Sequence, residues 1–406
     1  MNLVLINKTQ NHNFKKNLIK SLSKKFEKVF IEIKNEISNE NKTLNVLNKK
    51  FNFNFKTKDL QKFKKFKIIA IIGMGGSILG AEALYNFLDK KIKKKVYFFN
   101  NINENKIKNF KKKNNLSKIL FIIISKSGNT IETLSNTYAL KILKKNSKNI
   151  ILISEKKNNA LFSLSKKLNL FYIEHKQHIG GRFSVLSEVG IIPAYLMEVN
   201  VSKLRSKILE SLKIKKKIFL KKNTIKLVQL INSKKFNNLI FLNYVPNLEK
   251  FLFWCQQLIA ESLGKKNKGF LPMISNTPKD HHSLLQLYLD GPKDKIFYIF
   301  SYDKKSKEKI KLTKNTNFIN FLNNKDLNTI KKAQKNALIK SFKKKKVPFR
   351  EFKLKNFSEE TLGELFSYFI FETVVIGKML NINPFDQPAV ERVKIDTKKS
   401  LVKNTI

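Results

Sequence analysis

Ser125, Lys126, Ser127 and Thr130 stand together in residues 125–130, where three hydroxyls and one ammonium could hold a phosphate monoester. The segment follows an unbroken apolar run, residues 119–124, and precedes a helix-like pattern through Leu134, Ala139 and Leu140. A buried strand that runs into a helix start brings backbone N–H groups and the positive end of the helix dipole to one spot. Ser, Asn and Thr are also good helix caps, so this segment alone reads equally well as a plain cap. A second turn of the same type shifts the balance: Gly73-Met74-Gly75-Gly76-Ser77 follows the apolar run 68–72. Ile78 stands where a dinucleotide fingerprint needs Gly, and Ala81-Glu82 where a P-loop needs Lys-Ser/Thr. The glycines, Gly76 among them, let the backbone approach a ligand closely and leave Ser77 facing it at a helix start. Two adjacent turns of this kind favour a small phosphorylated metabolite over a nucleotide.

Other segments offer groups for the chemistry itself. Gly180-Gly181-Arg182 places paired glycines before an arginine, a bend that aims a guanidinium inward. Of 82 basic residues only Arg182, Arg205, Arg350 and Arg392 are Arg, so a retained one points to a need for its planar fork; a structural salt bridge is the plainer reading. Gln257 and Glu261 are four apart and share a helix face. Phe253 and Trp254 nearby would bury Glu261 in part, a setting that suits a general base, although an ordinary helix-end Glu fits as well. In Asp280-His281-His282 the adjacent imidazoles point apart on a helix; one suits an acid/base role and the other a structural one. Near the C-terminus, Pro384 marks a turn, Asp386 sits near a cap, and Gln387 and Lys394 are seven apart on one face. Cys255 lacks a paired base and reads as core. No His/Cys/Asp/Glu spacing matches a metal site, so neither metal nor redox cofactor is expected.

These groups must be positioned by a frame of alternating elements. Apolar strands at 67–73, 95–100, 118–125, 149–154 and 169–173 alternate with helical segments, and a second set lies at 238–243, 268–274, 296–302 and 348–355. Long helices are expected at 248–263, 325–342 and 358–380. Alternation at this pitch implies parallel strands in βαβ units. The fold class is therefore α/β: two doubly wound, mainly parallel-sheet domains over 61–200 and 201–380, a helical lead-in over 1–60 and a C-terminal segment over 381–406. The formal charge of +52 suggests nucleic acid at first sight. Lysine rather than arginine carries it, however, alongside abundant Asn, Ile and Phe, which drift toward A/T-rich codons explains together. A solvated lysine surface is expected, with nonspecific RNA association as the weaker alternative. A single cysteine, the lack of a long apolar run and the lack of a leader-like N-terminus suggest a soluble cytoplasmic protein, with no membrane partner.

Taken together, the ordered motifs resemble the glucose-6-phosphate isomerase family, in its shorter bacterial type with two sugar-isomerase (SIS-type) domains. They are G-x-G-G-S at 73–77, S-K-S-x-x-T at 125–130, G-G-R-F-S at 180–184, Q-x-x-x-E-S-x-G at 257–264, H-x-x-x-Q at 282–286 and F-D-Q-x-x-V-E-x-x-K at 385–394. The resemblance implies interconversion of glucose 6-phosphate and fructose 6-phosphate through an enediolate. It implies that Gly76, Ser77, Ser125, Lys126, Ser127 and Thr130 hold the sugar phosphate and that Arg182 stabilises the enediolate. Glu261 would move the proton between C2 and C1, His282 and Lys394 would assist ring opening, and Gln257 and Gln387 would position substrate. It also implies a homodimer whose motif histidine reaches the neighbouring site. Ala389 replaces a usual Gly, and Glu188 stands where a small residue is common. A bifunctional phosphoglucose/phosphomannose isomerase and a sugar-phosphate-sensing regulator are the alternatives; against the latter, residues 1–60 show no clear three-helix pattern with a Gly turn, which its helix-turn-helix head would need.

Overall fold

Runs such as Ile119–Ile124, in which every residue is buried, need cover on both faces. The computed structural model, which describes residues 3–7, 16–304, 306–312 and 317–403, provides it by wrapping helices around two five-stranded sheets. The strands in chain order are β1 (Leu3–Asn7), β2 (Ile68–Gly73), β3 (Lys95–Phe99), β4 (Ile119–Ile124), β5 (Ile150–Ser154), β6 (Phe171–Glu174), β7 (Asn238–Asn243), β8 (Leu271–Asn276), β9 (Lys295–Tyr302) and β10 (Phe349–Leu354).

The first sheet runs β3-β2-β4-β5-β6, wholly parallel. Its order reverses between β2 and β4, the place where open α/β sheets take ligands beyond their strand ends. Gly73 pairs with Ile124 there, so the two Ser-bearing turns emerge side by side. The second sheet runs β1-β10-β9-β7-β8 and is parallel except for β1, which lies antiparallel to β10. Its own order reverses between β7 and β9, and just past β9 Asp303 is held by Lys335 (3.1 Å) and by Lys353 (2.5 Å).

β1 corrects the reading of residues 1–60 as a helical lead-in. The helix Lys16–Ser38 is present, and short helical turns follow, but Leu3–Asn7 is a strand on the edge of the second sheet. Four consecutive apolar residues carry no helical spacing, and a run so short leaves its period undecided. The long helices stand close to the expected positions, at Glu249–Leu263, Leu327–Lys344 and Glu359–Met379.

The helix Glu249–Leu263 joins the two units. Its Phe251, Leu252, Cys255, Leu258 and Ile259 are buried in a core shared with Ala81, Ala83 and Leu84 of the helix Leu79–Phe87. Arg350, a buried residue of β10, pairs with both oxygens of Glu372 and donates to Tyr368 (3.2 Å). Arg205 donates to the carbonyls of Val46, Leu186 and Asn48. Glu188, the departure noted above, is fully buried, and desolvation pushes its carboxyl above the usual carboxylate range. No helix among the described residues is long and apolar enough to cross a membrane.

Candidate active site

The first turn closes on Arg182 through glycine. A side chain at Gly76 would place its first carbon 2.2 Å from the carbonyl carbon of Gly181. Only a residue without Cβ lets the turns 75–77 and 180–182 lie back to back. That contact delivers Arg182 to the end of the helix Glu249–Leu263. Its guanidinium is almost wholly buried, and all five of its N–H donors are taken. Nε donates to Ser262 Oγ (2.8 Å), Nη1 to Glu261 Oε2 (3.1 Å) and Gln387 Oε1 (2.6 Å), and Nη2 to the carbonyls of Pro384 and Asp386 (2.8 Å each). Burial pulls its pKa down from the ordinary arginine value, and the charges of Glu261 and Asp386 oppose that pull.

Glu261 is held at both oxygens, because Gln257 Nε2 donates to its Oε1 (3.0 Å) while Arg182 takes Oε2. The four-residue spacing produces this contact along one helix face. Gln257 Oε1 is buried without a hydrogen-bond partner among the described residues. It is therefore an acceptor suited to a ligand hydroxyl. Glu261 itself keeps about a third of its side chain exposed, so it faces an open space rather than the core.

The second turn is built as a hydroxyl-rich bend. Ser125 Oγ and Thr130 Oγ1 lie 2.8 Å apart, and Gly128 N–H donates to Ser125 Oγ (3.1 Å). Gly128 has φ +68°, and a Cβ there would sit 1.8 Å from Asn159 Oδ1. Asn129 Oδ1 accepts from Ala160 N–H (2.8 Å), which pins the bend to the loop after β5. Thr130 occupies the cap position of the helix Ile131–Ala139, yet its side chain makes no capping bond. The plain-cap reading thus fails at Thr130. Lys126 Nζ lies 3.6 Å from Glu155 Oε1. Burial lowers the Lys126 pKa; Glu155 raises it, and the charges of Lys157 and Arg182 add to the lowering. Lys126 and Arg182 therefore act within one electrostatic field.

Two expected residues stand apart. His282 is exposed near the start of the helix His281–Asp290, whereas half-buried His281 is hydrogen-bonded through Nε2 to Tyr244 (2.8 Å). Lys394 is exposed on the helix Pro388–Lys403 and pairs with Glu391 (2.8 Å). The seven-residue spacing does not align it with Gln387, because Gln387 precedes the first turn of that helix and bends back to Arg182. Asp386 stands two residues ahead of the helix Pro388–Lys403, near its cap as expected, and accepts from Lys265 (2.6 Å). Ser262, Lys265, Glu155 and the carbonyls of Pro384 and Asp386 were not anticipated. An acidic residue just past β5 was a usable signal for Glu155; backbone carbonyls leave none. Among the described residues no group of three or more His, Cys, Asp or Glu could hold a metal ion.

The family model for phosphoglucose isomerase matches residues 5–404. The chain is 34% identical over 363 residues to a probable glucose-6-phosphate isomerase of Methanococcus maripaludis, covering 86% of this chain and 81% of that one. It is 34% identical over 352 residues to the glucose-6-phosphate isomerase of Methanocaldococcus jannaschii, covering 83% and 85%. Among solved structures, a hypothetical protein of Thermus thermophilus superposes with a TM-score of 0.82 at 22% identity, over 98% of this chain and 99% of that one. A glucose-6-phosphate isomerase of Chlamydia trachomatis superposes at 0.78 and 16% identity, over 100% and 89%. These two likenesses concern the fold.

Proposed function

The chain belongs to the phosphoglucose isomerase family, and from that premise we infer that its Arg182–Glu261 site performs the interconversion of glucose 6-phosphate and fructose 6-phosphate. The observation that carries the reading is Glu261 held beside Arg182 at 3.1 Å, next to two hydroxyl-bearing turns at adjacent strand ends. The opened aldose presents its C2 proton to the Glu261 carboxylate. Removal of that proton leaves a cis-enediolate, whose charge Arg182 stabilises in the manner of an oxyanion hole. The same carboxyl returns the proton to C1 while the O2 hydroxyl proton passes to O1, and the ketose forms. Gln257 and Gln387 orient hydroxyls, while Gly76, Ser77, Ser125, Lys126, Ser127 and Thr130 hold the phosphate. Purified protein with fructose 6-phosphate, coupled to detection of glucose 6-phosphate, tests the reading; absence of turnover overturns it.

His282 and Lys394 assist ring opening in this reading. In this reading His282, exposed on its helix, serves the neighbouring subunit of a homodimer. A monomer in sedimentation at assay concentration would remove that arrangement. The reading also assigns the enzyme to the cytoplasm, which cell fractionation checks.

The phosphate turn yields two expected results. Ser127→Ala/Thr130→Ala raises KM far more than it lowers kcat, since the anchor holds ground and transition states about equally. Affinity for a non-isomerisable sugar phosphate falls by roughly 1–3 kcal/mol per lost charge-assisted bond, and unchanged titration affinity would exclude these hydroxyls from the anchor. The second result concerns pH. Lys126, with its pKa lowered by burial, releases its proton earlier than a free lysine, so KM climbs with rising pH below the ordinary lysine range. Glu155 raises that pKa, and Glu155→Gln therefore moves the climb to lower pH. A KM–pH profile that Glu155→Gln leaves unshifted takes Lys126 out of the anchor.

A further inference from the structure

Lys265 stands two residues past the helix that carries Gln257, Glu261 and Ser262, and its ammonium reaches across to the strap 383–387. It donates to Asn383 O (2.5 Å), Asp386 O (2.6 Å) and Asp386 Oδ1 (2.6 Å), which uses all three of its donors on one loop. The same strap supplies the carbonyls of Pro384 and Asp386 to Arg182 Nη2 and the side chain of Gln387 to Arg182 Nη1. Asp386 O is thus shared by the two cations. Phe385 packs against Phe183, with ring centroids 5.3 Å apart. Asn383 Nδ2 supports the Asp386 carboxylate at 3.0 Å. The Lys265 side chain is only 14% exposed, and its bond to Asp386 is the leading reason that carboxyl lies below the usual range.

We propose that Lys265 is a positioning residue for the isomerisation: it ties the strap to the helix bearing the base, so that Arg182 and Glu261 keep a fixed separation. The proposal rests on the reading of the reaction given above. Lys265 touches none of the groups assigned to substrate, so its effect passes through the strap. A displacement of the Arg182 acceptors by about an ångström would misplace the guanidinium against the developing enediolate, and misplacements of that size cost up to about a hundredfold in rate. The phosphate turn lies on another loop and does not move with the strap.

The test uses the full chain, with turnover of fructose 6-phosphate and thermal melting measured on wild type, Lys265→Met, Lys265→Arg and Asp386→Asn. The expected result for Lys265→Met is a fall in kcat of about tenfold to a hundredfold, with KM within about threefold. Lys265→Arg, which can still donate to the same carbonyls and carboxylate, restores most of the loss. Asp386→Asn, which keeps its backbone acceptor, loses less than Lys265→Met. Should Lys265→Met fail to fold, Lys265→Gln carries the same comparison. A kcat within about twofold of wild type overturns the proposal, as does a loss seen mainly in KM or one that Lys265→Arg fails to recover. Wild-type protein without turnover overturns the reading of the reaction itself, whereas an active wild type with an unaffected Lys265→Met overturns the positioning role alone.

Discussion

Glu261→Gln is expected to lower kcat by about two to four orders of magnitude, the usual contribution of a proton-transferring group, while KM stays near the wild-type value. The amide preserves shape and still accepts from Gln257 or Arg182 through its oxygen, so the local fold survives. What it loses is a lone pair basic enough to take the C2 proton. The phosphate anchor, carried by the bend at residues 125–130, is untouched, and ground-state binding should follow it. Solvent-proton exchange into substrate gives a second readout: in the wild type the intermediate picks up solvent deuterium at the carbon that receives the proton, and in Glu261→Gln this labelling should vanish along with turnover. Near wild-type turnover in the variant would remove Glu261 from the mechanism.

Arg182→Lys should cost roughly two orders of magnitude in kcat, similar to deletion of one oxyanion donor elsewhere. The charge is kept, but three mobile donors replace five in a planar fork. The partners of the fork show what is at stake: Ser262, Glu261, Gln387, Pro384 O and Asp386 O cannot all be served by an ammonium. Each buried acceptor left unmatched costs about 1–3 kcal/mol, so the melting temperature should fall together with the rate. Because the stabilised negative charge exists only near the transition state, KM should move little. A variant in which only KM rises would make Arg182 a contact to the substrate ground state, and the enediolate role would pass to another cation.

Sequence and structure part ways where the deciding partner is a backbone atom or a surface. The strands were legible because apolar runs such as Ile119–Ile124 allow no other burial, and their ends located both turns. The Gln257–Glu261 contact was legible because helical geometry converts spacing into proximity. Arg182 was legible because an arginine set after paired glycines in a lysine-rich chain points to a fork that meets several acceptors; Arg205 and Arg350 were not singled out, yet their forks do the same. Lys265 was not, since one lysine among so many carries no signal of its own. The directions of His282 and Lys394 were not either, because a motif fixes a residue's place along a helix and not which way a solvent-facing helix is turned. β1 escaped because Leu3 finds its partner in Leu354, and no local pattern encodes a pairing so distant.

That pairing also orders events in time. The first sheet is assembled from strands lying between Ile68 and Glu174, so its contacts are comparatively local and its turns can form while the rest of the chain is still being made. The second sheet gains its edge only when β10 emerges and meets a strand synthesised long before. Contacts of such separation carry a large loop-closure entropy and come late in folding. Until then β1 is an apolar strand with unpaired N–H and C=O groups, a template that a neighbouring chain can occupy. The anchor for phosphate is thus ready early on the nascent chain, while the sheet next to the base helix is sealed last. The net charge of +52 would oppose such edge-to-edge joining through mutual repulsion.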